Sequence, residues 1–280
     1  MTSRFTASVC VISAAILSTV VAAEPRRLAI YYGIPSLVNG AGGVVSRAAD
    51  AFADYDVVVF GDGLEFEDVV PGRKPVGPGP LEYQRTKEII TRLAGMPRKT
   101  AVYGYIDLGR SQQLALDDIT ARIQRWRSIG ASGVFFDEAG ADFGVDRRRQ
   151  NAAVDAGHAA GLRVVLNAFN PDDVFGVGAD GLRPRLGAGD AYLLESFAVR
   201  NGSVDDSALL RDRVHKAVTG AAATGVSLWA TTTTTQGRYD AALMDHAWQA
   251  ARQAGIEAFG WGEPSFSSAD SRLPFRPRPR

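Results

Sequence analysis

The chain has 280 residues, 46% of them hydrophobic, and its 31 basic and 31 acidic side chains cancel to a formal charge of zero. That balance describes a packed globular protein and offers no basic footprint for nucleic acid. One cysteine (Cys10) and three dispersed histidines (His158, His215, His246) exclude a disulfide framework and leave no zinc site at ligand spacing.

Arg4, the apolar run "VCVISAAILSTVVA" and small residues at Val21 and Ala23 predict a secretory signal peptide over residues 1–23, cleaved before Glu24. The run is shorter than the roughly 20 residues needed to cross a bilayer, so no membrane span is expected. The mature chain is therefore expected outside the cytoplasm, extracellular or periplasmic, and without cysteine. Such a chain must rest on its hydrophobic core, which suits one large domain.

From residue 24 onward, short apolar stretches alternate with amphipathic ones. The predicted strands are "LAIYYG" (28–33), "DVVVFGDG" (56–63), "TAVYGYIDLG" (100–109), "GVFFDE" (133–138), "RVVLNAF" (163–169), "AYLLESF" (191–197), "VSLWATT" (226–232) and "EAFGWG" (257–262). Between them lie the helical stretches "VVSRAADAFADY", "LEYQRTKEIITRLAG", "LALDDITARIQRWRSIG", "VDRRRQNAAVDAGHAAG", a weak one after Pro171, "DDSALLRDRVHKAVTGAAATG" and "RYDAALMDHAWQAARQAG". Several end in glycine, the usual helix stop.

Strands alternating with helices demand parallel pairing and right-handed crossovers. Continuously apolar strands are buried on both faces, so the expected fold is α/β: a single-domain (β/α)8 TIM barrel over residues 24–268. An open doubly wound sheet is the alternative, but "IPSLVNGAGG" after the first strand lacks the glycine spacing of a dinucleotide site. The closing "RLPFRPRPR", within a Pro/Arg-rich tail over residues 269–280, is expected to be disordered.

Barrel active sites lie at the carboxyl ends of the strands. That rule nominates Tyr32, Asp62, Glu65, Tyr105, Asp107, Asp137, Glu138, Asn167, Glu195, Trp229, Thr231, Trp261 and Glu263. Carboxylates end five of the eight strands, and Arg110 is the only basic residue at an equivalent place. Asp62 and Glu65 read equally well as helix caps. Asp137 and Glu195 do not, because no helix starts beside them.

Two carboxylates across a barrel mouth suit glycoside cleavage: one protonates the leaving oxygen while the other attacks the anomeric carbon or activates water. Tyr32, Tyr105, Trp229 and Trp261 are candidates to stack on sugar rings, although aromatic residues also fill barrel cores. No serine-hydrolase elbow, phosphate loop or zinc-protease motif is present, and neither a metal nor a cofactor is expected.

In "VYGYIDLG", "DITARIQRWRSIGASGVFFDEAG", "VVLNAF" and "YLLESF" the chain resembles the spherulin-type barrel family, related to glycoside hydrolase family 114, the endo-α-1,4-polygalactosaminidases. The likeness runs from "IYYGIPS" to "FGWGEPS". It implies Asp137 and Glu195 as the catalytic pair, and a galactosamine-containing polysaccharide as substrate. Six acids, Asp62, Asp107, Asp137, Glu138, Glu195 and Glu263, independently suggest an acidic mouth that favours a cationic amino-sugar polymer. The alternative is a non-catalytic barrel of spherulin type that binds carbohydrate or belongs to a surface or spore coat. A monomer is expected in either case.

Overall fold

The computed structural model describes residues 23–67, 79–233 and 239–273. The expected signal peptide up to residue 22, with Cys10, and residues 274–280 of the expected tail lie outside the described residues.

The described strands are β1 (Arg26–Tyr31), β2 (Val57–Phe60), β3 (Ala101–Asp107), β4 (Gly133–Asp137), β5 (Arg163–Asn167), β6 (Ala191–Arg200), β7 (Ser203–Val204), β8 (Ser227–Thr233) and β9 (Ala258–Gly260). The α-helices are α1 (Val45–Phe52), α2 (Pro80–Gly95), α3 (Leu116–Ser128), α4 (Arg147–Ala159), α5 (Asp172–Phe175), α6 (Ala208–Thr224) and α7 (Ala241–Gln253). Side chains cap several of them: Asp146 accepts from the Arg149 amide at 2.8 Å, and Asp240 accepts from the amides of Ala242 and Leu243. The expected glycine stop appears at Gly225, whose φ of 74° ends α6 in the left-handed region. After Pro171 only the single turn of α5 forms.

Parallel pairing runs from β1 through β2, β3, β4, β5, β6, β8 and β9, and β9 returns to β1. The result is a closed eight-stranded barrel surrounded by helices, in one domain. Strand six departs from its expected end at 197. It continues to Arg200 through a register shift after Glu195, and β7 folds back on it antiparallel.

Strand alternation sorts the core into two shells. Leu28, Ile30, Val57, Val59, Tyr103, Phe135, Val165, Leu193 and Trp229 fill the barrel interior. Their neighbours, such as Tyr31, Phe60, Ile106, Phe136, Leu166, Leu194 and Phe259, face the helices. Gly104 faces outward too, and a Cβ there would lie 1.9 Å from the Trp126 indole of α3. Trp126 Nε1 donates to the Tyr105 carbonyl at 3.2 Å. The Gly-Tyr of the third strand and the "RIQRW" helix are thus two halves of one contact, which fixes the level of Tyr105 in the barrel.

Candidate active site

Continuing the inward alternation one step beyond the interior layer places Tyr105 and then Asp107 after Tyr103, Asp137 after Phe135, Asn167 after Val165 and Glu195 after Leu193. All reach the mouth at the carboxyl ends of their strands. There Asn167 Nδ2 donates to Asp137 Oδ1 at 2.8 Å and to Glu195 Oε2 at 3.1 Å. One side-chain amide therefore spans the two acids that the sequence nominates first.

Tyr105 donates a further hydrogen bond to Asp137, and Glu138 N donates to Asp137 Oδ1 at 2.9 Å. Burial, followed by the charge of Glu195, pushes the Asp137 carboxyl up to about 6 despite these donors. Asp137 is consequently ionised at neutral pH but within reach of protonation. The residue following each acid is strained: Glu138 has φ 52° and Ser196 has φ 58°, both left-handed without being glycine. The chain turns away sharply after each carboxylate, a backbone cost that clusters at functional sites.

The other acids divide by partner. Asp62 Oδ1 accepts from Arg122 Nη1 at 2.5 Å and Asp62 Oδ2 from Gln112 at 2.9 Å, while Arg122 lies 3.5 Å from the buried Glu65. Burial raises the Glu65 carboxyl to about 8, and Arg122 opposes that shift. These contacts correct the expected absence of basic counterweight: Arg122 reaches the mouth from α3 and neutralises its β2 side. Arg110 is not the residue that does so.

Glu138 turns to the loop after β3, accepting from Ser111 N at 3.1 Å and from Ser111 Oγ. It therefore anchors a loop, beside Asp137 in sequence but engaged elsewhere. Asp107 is 2% exposed, and its Oδ1 has no hydrogen-bond partner among the described residues. Burial and then Glu138 raise it to about 6. Glu263 is buried, raised to about 7 by burial and by Asp270, and lines a pocket of about 500 Å³ with Glu195, Arg200, Thr233 and Phe266. That volume falls in the range of small-molecule sites.

The aromatic candidates behave less uniformly. Tyr32 and Tyr105 meet edge to face at 5.2 Å just above the interior layer, and Tyr32 also touches Phe266 at 5.4 Å. Trp229 is 2% exposed inside the barrel against Tyr103, and Trp261 packs in the outer shell against Tyr239. Both tryptophans serve the core and present no face to the mouth. Thr231 is buried and donates to the Thr232 carbonyl. Sequence reasoning missed two residues at this end of the barrel. Arg122 was legible in "RIQRW" only as part of a helix, and Phe169 in "VVLNAF" only as the end of a strand.

No protein-family model and no curated protein sequence matches the chain. Solved structures do. Morphinone reductase is similar with a TM-score of 0.54 at 11% identity, over 85% of this chain and 82% of that one. A GH10 endoxylanase retrieved from a sugarcane soil metagenome gives 0.53 at 12% identity, over 85% and 86%. The cellulose synthase subunit Z of Clostridioides difficile gives 0.50 at 9% identity, over 88% and 94%. At such identities the likeness shows the TIM barrel alone, a fold that hosts many unrelated chemistries.

Proposed function

We propose that this chain is a secreted glycoside hydrolase that cleaves an amino-sugar polysaccharide, with Asp137 and Glu195 as its catalytic pair. The observation that carries the reading is the single Asn167 amide bonded to both carboxylates at the barrel mouth. Two oxygens that share one nitrogen at 2.8 and 3.1 Å put the carboxylates side by side, the arrangement in which one can attack while the other protonates, and we take the reaction as retaining.

In the first step ionised Asp137 attacks the anomeric carbon. The bond to the leaving oxygen breaks as Glu195 delivers its proton there. In the second, Glu195 takes a proton from water, the water oxygen attacks the same carbon, and the bond to Asp137 breaks, regenerating both groups. Asn167 and Tyr105 hold Asp137 in line and lower its basicity. The resemblance to polygalactosaminidases supports galactosamine as the sugar.

Charge supports the amine independently. Asp107 and Asp137 make no ion pair with the described residues, so a sugar ammonium would find uncompensated carboxylates, whereas a uronate would be repelled. The test is incubation of the protein with a panel of de-N-acetylated, acetylated and uronate polysaccharides, read by mass spectrometry of released oligosaccharides. Release from the de-N-acetylated galactosamine polymer is the expected result. Binding without release would select the non-catalytic carbohydrate-binding barrel instead.

A further inference from the structure

The four aromatic rings that the sequence offers for sugar stacking are all engaged in packing. Among the described residues a single aromatic side chain is exposed, and it is Phe169, at 43%. Phe169 follows Asn167 by two residues, just beyond β5, and so stands on the rim of the mouth beside the bridging amide. An exposed aromatic ring is ordinarily a loss, since its burial would be favourable.

The ring is also backed by a buried cation. The Arg213 guanidinium of α6 lies 4.0 Å from its centroid. The same guanidinium donates from Nε to the Phe169 carbonyl at 2.8 Å and from Nη2 to the Glu195 carbonyl at 3.2 Å. Arg213 is itself only 5% exposed, so the side of the ring that it covers is turned inward. What solvent reaches is the other side. One buried cation therefore couples a rim aromatic to the strand end that carries Glu195.

We infer that Phe169 is a sugar-stacking platform for the residue of the polymer neighbouring the one held between Asp137 and Glu195. This inference rests on the carbohydrate reading of the site. A pyranose presents ring C–H groups on one face, and these dock on a fixed aromatic face without requiring ring rotation or loop closure. The platform extends the site sideways along the rim, which suits cleavage within a chain rather than from its end.

The experiment compares Phe169→Ala, Phe169→Leu and Phe169→Trp with the wild type. Binding of each to de-N-acetylated galactosaminan is measured by calorimetry in the Asp137→Asn background, and KM for the polymer in the active background. Leucine keeps an apolar cover over Arg213 while removing the π face, so it separates stacking from packing. The expected result is polymer binding and KM both weakened about two- to tenfold in the alanine and leucine variants and restored in the tryptophan variant. Unfolding temperature should stay at the wild-type value in the leucine variant. Binding within error of wild type in Phe169→Leu, or no binding of the polymer by any form, would overturn the platform. Ring-dependent binding by a protein that releases no oligosaccharide would leave the platform standing and remove the hydrolase reading.

Discussion

Two pairs of acids stand at the same end of this barrel, and they have been treated differently. Asp62 and Glu65, beyond β2, share the guanidinium of Arg122, which also lies over the Phe66 ring at 5.0 Å. Asp137 and Glu195, ending β4 and interrupting β6, share only the neutral amide of Asn167. A cation binds Asp62 directly, lies 3.5 Å from Glu65 and ties α3 to the sheet; an amide orients the second pair and brings no positive charge to it. Each pair is one Asp and one Glu at the same end of the barrel. What separates the two pairs is the nature of the third group, a guanidinium in one and a neutral amide in the other.

The largest break in this comparison should come from the amide-bridged pair. Glu195→Gln keeps the shape and the Asn167 contact but removes the proton donor, and turnover is expected to fall by about 10²- to 10⁴-fold, with polymer binding retained. Steady-state kinetics beside calorimetric binding checks both halves.

Arg122→Met tests the opposite pair. It leaves buried Glu65 and half-exposed Asp62 without their cation, and stability should fall by about 2–4 kcal/mol, below the value for a wholly buried pair because Asp62 is in part solvated. Denaturant unfolding measures this. A loss in kcat/KM greater than about threefold, which would exceed roughly 0.6 kcal/mol of transition-state stabilisation, would show that the β2 side also serves the reaction.

Asn167→Ala should act between these extremes, lowering kcat about 10- to 100-fold by releasing both carboxylates from a common position. It also removes a hydrogen bond that favours ionised Asp137. The acidic limb of the pH–rate profile, set by Asp137 at about 6 in the wild type, should therefore move to higher pH. A limb that stays in place would detach Asp137 from that ionisation.

The smallest effect concerns stability against pH. Glu65, Glu263, Asp107 and Asp137 are all raised above the ordinary carboxylate range by burial. The folded chain therefore binds more protons than the unfolded chain from about pH 4 upward. The contribution of these four groups to stability is fully present below that point and declines as pH rises to about 8, where Glu65 is the last to ionise. Glu65→Gln should flatten the decline by on the order of 1–2 kcal/mol, read from unfolding midpoints at pH 5 and pH 8.

The barrel was legible because strand and helix periodicities differ and because eight apolar stretches recur at near-regular spacing. The inward set at the mouth was legible for the same reason: Phe135 and Asp137, or Leu193 and Glu195, are two residues apart and must share a face. Partnerships were not. Arg122 arrives from a helix that neutralises an acid 60 positions earlier, and no local pattern encodes that distance. Trp229 illustrates a different blindness. A large aromatic near a strand end reads alike whether it caps the interior layer or faces solvent, and here it lies a layer below the mouth against Tyr103. The bulge after Glu195 left no glycine or proline in "ESFAVR" to announce it, whereas the β6–β7 hairpin turns on Asn201 and Gly202, both at positive φ.

The most direct measurement is the rate of reducing-end release from one de-N-acetylated galactosamine polymer by the wild type, Asp137→Asn and Asp62→Asn, with each variant's fold verified by its unfolding transition. The account predicts release by the wild type, loss of about 10³-fold in Asp137→Asn, and a rate within about threefold of wild type in Asp62→Asn, because a chemical acid and a salt-bridged one differ by that much in transition-state stabilisation. Equal losses in the two variants, or undiminished release by Asp137→Asn, would contradict it.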